Sequence, residues 1–435
     1  METYENTISD PSPAPVSGSE NDSRPEVWFS MLAFLPGYWF VYAFTSEHFS
    51  VKISIFTVIY AVFVLSWLYL SKRKPTKESW FYLILLLSAG ITCSFWSLFP
   101  LLHFLTLYLL AAYWTLCACG ALAKGATSNW ALLDGANAFL ILPFSNCTCQ
   151  GRILKAEIKK RSSGRKFLAV ILGIGISIPV LAIILPLLSE ADANFNQLML
   201  SLSDSFGSRF AVYFFRLLLS LPVSFCIYSL IYGSLARKNM ALPDPEQIIR
   251  LQSSLRILPD LAVCTLLGLV CMFYCIFIAL QGSYFFSAFA GIRPEGFTYA
   301  EYARQGFFEL CKIGAFNLLL LLFCRFCAKT GLRNHRVLRR MHLILSALTL
   351  LLIATALSKM ALYIFTYGLT AKRILSTTFL VWLGIVFAAM MLSLKKPFFS
   401  VMRAAVFSGS ALLASLHVLP WESIIRLVNR AVIIP

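Results

Sequence analysis

The stretch RPEGFTYAEYARQGFFELCKIGAFNLLLLLF, residues 293–323, places four charged side chains just before and within a long apolar run. A helix needs about 20 mostly apolar residues to cross roughly 30 Å of hydrocarbon, and similar runs recur along almost the whole chain. With 59% hydrophobic residues, this composition excludes an ordinary soluble globular protein. The sequence predicts an all-α, polytopic membrane bundle, because a backbone in lipid must satisfy its own hydrogen bonds.

We predict about 11 membrane-spanning helices, within a range of about 10–12. Their approximate bounds are 27–45, 51–70, 79–98, 100–120, 167–188, 209–233, 257–280, 309–327, 341–358, 373–394 and 403–420. Residues 1–26 are acidic and polar, which is typical of a disordered tail. Residues 27–420 form the predicted transmembrane domain, and residues 421–435 have the two-faced pattern of a helix on the outer membrane surface.

The distribution of positive charge predicts the orientation of the chain. Most of its 37 lysines and arginines lie in the loops 71–78, 121–166, 234–256, 328–340 and 395–403. Because cytoplasmic loops are enriched in these residues, we expect the N-terminus and these loops in the cytoplasm. The net charge of +17 then favours contact with anionic lipid headgroups over nucleic acid binding, since the basic residues sit in short loops.

One inner segment, SNWALLDGANAFLILPFSN at 128–146, is apolar but interrupted by Asp134 and Asn137. We interpret it as an interfacial or re-entrant helix, in which Ser128 caps the start and Pro143 marks the end.

The opening stretch contains a capping box, with Thr298 followed three residues later by Glu301, and this predicts a helix start. On that helix Glu301, Arg304, Glu309 and Lys312 fall within about 140° of arc. A charged face of this kind avoids lipid and turns toward protein or water. Two interpretations stay open: a site for an anion, headgroup or partner, or ion pairs that only set the register of helices.

The segment SKMALYIFTYGLTAKR has two unusual features on the predicted outer side: cations in the first turn of a helix, and positive charge on the side of the membrane that usually has little. Gly368 suits the end of one helix and Thr370 the start of the next. Lys372 and Arg373 then occupy a first helical turn, where cations are unfavourable. The alternatives are lipid phosphate contacts and a role beyond them. The predicted ligand-binding residues are therefore Glu301, Arg304, Glu309, Lys312, Tyr367, Lys372 and Arg373.

Arg216 is a further charge inside a predicted span, and Asp260 is its proposed partner. Such a pair is either a structural ion pair or part of a gate.

Four cysteines in predicted cytoplasmic positions, Cys147, Cys149, Cys324 and Cys327, are weak candidates for zinc ligands. Their spacing is unlike usual zinc motifs, so small packing residues are the default and no metal or cofactor is predicted. The chain also lacks HExxH, GxSxG, P-loop and Rossmann patterns, and no enzyme activity is predicted.

Three segments, DGANAFLILPFSN, EGFTYAEYARQGFFELC and MALYIFTYGLTAKR, together resemble a bacterial family known as domain of unknown function 4173. The resemblance covers residues 128–435. It implies a polytopic protein of the bacterial cytoplasmic membrane and supplies no reaction, cofactor or substrate.

Three functions are compatible with these patterns. The first is a transporter or lipid-handling protein with an outer vestibule lined by 298–312 and 359–373. The alternative is a noncatalytic scaffold or envelope sensor that signals through its basic loops to a protein partner. An enzyme acting on lipid-linked substrates would depend on the outer carboxylates Glu301, Glu309 and Glu422.

Overall fold

A computed structural model describes most of the predicted transmembrane domain. It covers residues 24–46, 49–95, 97–123, 130–160, 208–242, 256–286, 307–329, 335–396 and 399–433, with residue 254 and scattered positions between 177 and 197. Within these residues every named element is helical, and an isolated β-bridge joins Leu258 to Ala328.

The described helices are numbered in chain order. They are α1 (Arg24–Leu32), α2 (Phe34–Phe44), α3 (Phe49–Leu70), α4 (Ser79–Thr92), α5 (Pro100–Ala118), α6 (Ala131–Ala136), α7 (Leu142–Ser145), α8 (Cys147–Lys160), α9 (Ser208–Ala236), α10 (Asp260–Phe286), α11 (Phe307–Cys327), α12 (Arg336–Tyr367), α13 (Ala371–Lys395), α14 (Val401–Val418) and α15 (Trp421–Ile433).

Nine stretches among the described residues are long and apolar enough to cross a membrane, and each coincides with a predicted span. The span predicted at 79–98 is a shorter apolar helix, α4, of 14 residues. The span predicted at 167–188 lies largely outside the described residues. The prediction of an all-α polytopic helical bundle is confirmed, and the chain is a multi-pass membrane protein.

The chain divides into two compact units. The first contains residues Met1–Phe95, Leu109–Ala121 and Asp134–Ala241. In it, α2 packs against α9 and α3, while α9 also contacts α7 and α8. Aromatic side chains fill its centre: the rings of Phe29 and Trp67 stack at 4.8 Å, and Tyr228 packs against Trp67 at 5.0 Å.

Close approach of α2 and α9 depends on a residue without a side chain. A Cβ atom at Gly37 would lie 2.9 Å from Cβ of Ser224. Small residues at such crossings let helices in membranes pack backbone to backbone. The glycine at position 37 of α2 therefore allows the backbone of α9 to approach closely.

From Asp134 onward, the interrupted segment after α5 belongs to the first unit and is attached there by polar residues. Helix α6 is followed by a π-helix, Asn137–Ile141, and then by α7. The side-chain amide of Asn137 pairs with the backbone of Ala241, donating to its carbonyl and accepting from its N–H, both at 2.9 Å. The prediction that Pro143 ends the helix is wrong, because Pro143 lies in the first turn of α7, where its missing N–H costs nothing.

The second unit contains residues Trp96–Tyr108, Leu122–Leu133 and Leu242–Pro435. Helix α12 is its central element and packs against α10, α11, α13 and α15. Leu321, Leu338, Leu345 and Phe387 are fully buried in its apolar core.

The outward faces of the spans are apolar in both units. On α10, for example, Leu261, Phe273 and Leu280 expose 78%, 63% and 78% of their surface. An exposed apolar surface of this extent would aggregate in water and fits contact with acyl chains.

Candidate functional site

The side chain of Asn429, in α15, holds the turn between α12 and α13. Gly368 has φ +78° and ψ 176°, a conformation almost restricted to glycine. Asn429 accepts a hydrogen bond from the Leu369 N–H at 2.6 Å and donates to the Leu369 carbonyl at 3.2 Å. As predicted, Gly368 follows the end of α12 and Thr370 directly precedes α13. The Thr370 side chain makes no capping hydrogen bond, and the Asn429 amide holds the turn instead.

Arg373 caps the end of the preceding helix. Its guanidinium donates to the carbonyls of Tyr367 (3.1 Å) and Gly368, and it lies 3.9 Å from the ring centre of Tyr363. A cation is unfavourable at the start of α13 but favourable at the C-terminus of α12, which it contacts. The neighbouring Lys372 is exposed, as is Tyr367.

This geometry predicts that Arg373→Gln lowers the free energy of unfolding by about 1 kcal/mol, through loss of charged hydrogen bonds and ring contact. Lys372→Gln removes the same charge one residue away and should change stability by less than about 0.5 kcal/mol. Thermal unfolding of both variants in detergent measures the difference. Equal effects from the two substitutions would show that Arg373 does not act as a cap.

The other predicted ligand-binding residues are only partly described. Glu301 and Arg304 lie outside the described residues. Glu309 and Lys312 lie near the start of α11 and are exposed, and the described contacts include no ion pair between them. The predicted ligand-binding role of this face stays a prediction.

Arg216 acts on a helix end in the first unit, as Arg373 does in the second. Its Nε donates to the Thr45 hydroxyl at 2.8 Å, just beyond the end of α2, and its guanidinium lies 5.0 Å from the ring centre of Tyr42. Asp260 is the first residue of α10, where a carboxylate is favourable. Their predicted pairing stays a prediction.

The cysteines are free thiols in the described structure. Cys149 and Cys324 are buried, while Cys147 and Cys327 are half-buried. Within the described residues, no group of three or more His, Cys, Asp or Glu side chains is arranged to hold a metal ion.

A line of polar side chains in the second unit, all buried except the half-buried Tyr274, is not among the sites predicted from the sequence. The Tyr274 hydroxyl of α10 donates to Oδ1 of Asn317 at 2.9 Å, and Nδ2 of Asn317 donates to the Thr349 hydroxyl at 2.9 Å. Ser346 and His342 follow Thr349 toward the start of α12, and both are buried. We call these five residues the polar seam.

The seam ends at a small cavity of about 10 Å³, lined by Arg325, His342, Ser346, Met390, Ser393 and Leu394. Nδ1–H of His342 donates to the Leu338 carbonyl at 3.0 Å. His342 Nε2 and Ser346 Oγ are buried with no described hydrogen-bond partner. The cavity is about the size of one water molecule.

Three other buried basic side chains lie in the second unit: Lys359, His103 and His417. Lys359 of α12 is fully buried, which is rare for a lysine in a span. The imidazoles of His103 and His417 stack with centres 4.1 Å apart, and Thr106 Oγ1 lies 3.1 Å from His417 Nε2.

A signal for the polar seam was present in the sequence. His342, Ser346 and Thr349 recur at intervals of four and three residues, which places them on one helical face. Asn317 interrupts the apolar run of α11. The partners on different helices, however, are separated by 32 to 43 residues and only become visible in the fold.

Comparison with known proteins bears on the family. A family model described as a domain of unknown function (DUF4153) matches residues 58–431, whereas no curated protein and no solved structure matches the chain. The expectation of an uncharacterised family is confirmed, but the family number 4173 is wrong, and the match begins well before residue 128. Since the match covers most of the sequence, the chain belongs to the DUF4153 family.

Proposed function

We propose that this protein is a proton-coupled transporter of the bacterial cytoplasmic membrane, with the polar seam of the second unit as its proton site. The observation that carries the proposal is a pair of buried atoms, His342 Nε2 and Ser346 Oγ, that have no hydrogen-bond partner among the described residues and belong to residues lining the cavity. Polar groups inside a span are costly and are usually kept for function.

The position of the seam along α12 suits a path into the bilayer. His342 lies about 9 Å and Thr349 about 20 Å from the start of this helix, at 1.5 Å per residue. The start of α12 carries Arg336, Arg339 and Arg340 and belongs to the side predicted to be cytoplasmic. The seam therefore extends from that side toward the middle of the span.

His342 has the surroundings of a group that alternates between two protonation states. In the neutral form Nδ1–H donates to the Leu338 carbonyl, and Nε2 is an acceptor without a described partner. In the protonated form both ring nitrogens are donors, so Nε2–H can donate to an acceptor in the cavity that His342 lines. Arg325 lines the same cavity, so a proton taken up by His342 would lie near a second positive charge.

The predicted outer vestibule belongs to the same proposal. Its second wall is the end of α12 with the turn that follows, while residues 298–306 of its first wall lie outside the described residues. A buried cation, Lys359, on the α12 part of this wall supports a solute path there.

The test uses the full-length protein in proteoliposomes on a solid-supported membrane. Amino acids, sugars, organic anions and inorganic ions are applied with and without a pH gradient. At least one class should evoke a current that depends on the gradient. Ser346→Ala should reduce that current about tenfold, because the hydroxyl faces the cavity.

Ser358→Ala is the matched control. Ser358 is on the same helix, but its hydroxyl donates to the Thr355 carbonyl of its own helix at 2.8 Å and does not line the cavity. It should transport as the wild type does. The proposal fails if no class evokes a gradient-dependent current, or if the two serine variants behave alike.

A further inference from the structure

In the first unit, α8 is fixed in place by a buried glutamine. Nε2 of Gln150, which is fully buried, donates to the Ser30 carbonyl at 2.7 Å and to the Ser224 hydroxyl at 3.0 Å. These bonds attach α8 to α1 and α9 at once. The opposite side of α8 is consequently held in a constant position relative to α9.

That opposite side forms the wall of a groove of about 380 Å³. The groove is lined by Cys147, Thr148, Gly151, Arg152, Lys155 and Phe225. The four residues Thr148, Gly151, Arg152 and Lys155 are exposed and fall within about 100° of the helical circumference.

The groove combines an apolar interior with positive charge. A Cβ atom at Gly151 would meet nothing within 4 Å, so the floor is open there, and Phe225 supplies an aromatic wall. Arg152 and Lys155 supply the two cations. Glu157, the single carboxylate of α8, lies on the far side of the helix, about 180° from Thr148.

The two ends of the groove lie at different depths along α9. Phe225 precedes the end of α9 by about 16 Å of helix axis, whereas Tyr232, which interacts electrostatically with Arg152, precedes it by about 6 Å. The end of α9 is followed by Arg237 and Lys238 on the predicted cytoplasmic side. The apolar end is thus at the depth of acyl chains, and the cationic end is near the headgroups.

We propose that this groove binds one anionic phospholipid from the cytoplasmic leaflet. Its phosphate lies between Arg152 and Lys155, and one acyl chain passes over Gly151 and along Phe225. The guanidinium of Arg152 is already oriented, since it contacts Thr148 Oγ1 and Cys149 Sγ, each at 3.3 Å. Arginine binds phosphate in a planar, two-bonded geometry that suits this position.

The depth of the groove and its two positive charges together favour an anionic lipid over other ligands. A water-soluble phosphate compound would be bound by the cations alone and would leave the apolar part of the groove empty. A zwitterionic lipid would fill the groove without complementing its two positive charges. An anionic lipid satisfies both halves of the site.

The experiment measures binding of phosphatidylglycerol and phosphatidylcholine to the full-length protein in detergent by native mass spectrometry. The wild type should bind one phosphatidylglycerol at least tenfold more tightly than phosphatidylcholine. Arg152→Gln with Lys155→Gln should lose that preference. Gly151→Phe, which fills the open floor without changing charge, should lower affinity for both lipids at least tenfold.

Two controls decide between the alternatives. Lys72→Gln with Lys74→Gln removes the same charge from two exposed residues of the first unit that do not line the groove, and this variant should bind as the wild type does. Glycerol phosphate, which has the headgroup without acyl chains, should not compete. The proposal is overturned if the Lys72 and Lys74 variant loses the preference for phosphatidylglycerol as the Arg152 and Lys155 variant does, if glycerol phosphate competes, or if Gly151→Phe binds normally.

Discussion

Replacing Gly368 with alanine should lower the free energy of unfolding by about 2–4 kcal/mol, the largest effect we expect from any single substitution in the second unit. At φ +78° and ψ 176° the backbone occupies a region that residues with a Cβ strongly avoid. The added methyl group would also collide with the side-chain amide of Asn429. That amide must then release one or both of its bonds to Leu369.

Gly268→Ala provides the matched control. Gly268 lies inside α10, and a Cβ atom there would meet nothing within 4 Å. Alanine is a better helix former than glycine, so this variant should be as stable as the wild type or slightly more so. Thermal unfolding followed by a thiol-reactive dye measures both proteins. If Gly368→Ala unfolds at the wild-type temperature, the described turn is incorrect.

Asn317→Leu should destabilise the protein by about 1–2 kcal/mol. Asn317 is fully buried and joins Tyr274 of α10 to Thr349 of α12. Without its amide, the Tyr274 hydroxyl keeps a donor with no acceptor inside the span. A buried polar group that loses its partner costs more than the bond contributed.

The stability lost in Asn317→Leu should be recoverable by further substitutions. Adding Tyr274→Phe and Thr349→Val to Asn317→Leu removes the orphaned groups and should recover most of the lost stability, because fully apolar replacements are nearly neutral. Transport by this triple variant should remain low, since the polar seam is absent. A stable triple variant with wild-type transport would show that this hydrogen-bonded part of the seam has only a structural role.

The positions of the helices were predictable because lipid imposes a simple requirement. A run of about 20 apolar residues must form a helix if it crosses the bilayer, and the nine described spans follow such runs. The segment with Pro143 was harder, because proline is tolerated in a first helical turn as well as after a last one. The periodicity of apolar residues does not distinguish a proline in the first turn of a helix from one that follows its last turn.

The contacts of the candidate site depend on residues far apart in the chain. Arg373 looks misplaced when only its own helix is considered, yet its partners belong to the end of α12. Asn429 reaches Leu369 across 60 residues. In the sequence the polar seam consists only of isolated polar residues within apolar runs. Its hydrogen bonds join three helices, so they could be identified only from the packing of those helices.

The length of α12 has a consequence for the surrounding membrane. Its 32 residues extend about 48 Å, some 18 Å more than a typical hydrocarbon core. The helix must therefore lean from the bilayer normal, project into the water, or thicken the nearby lipid. Three arginines in its first turns favour projection of that end into water. Because projection shortens the part of the helix that must be matched by lipid, hydrophobic mismatch should give this protein only a weak preference for thicker bilayers.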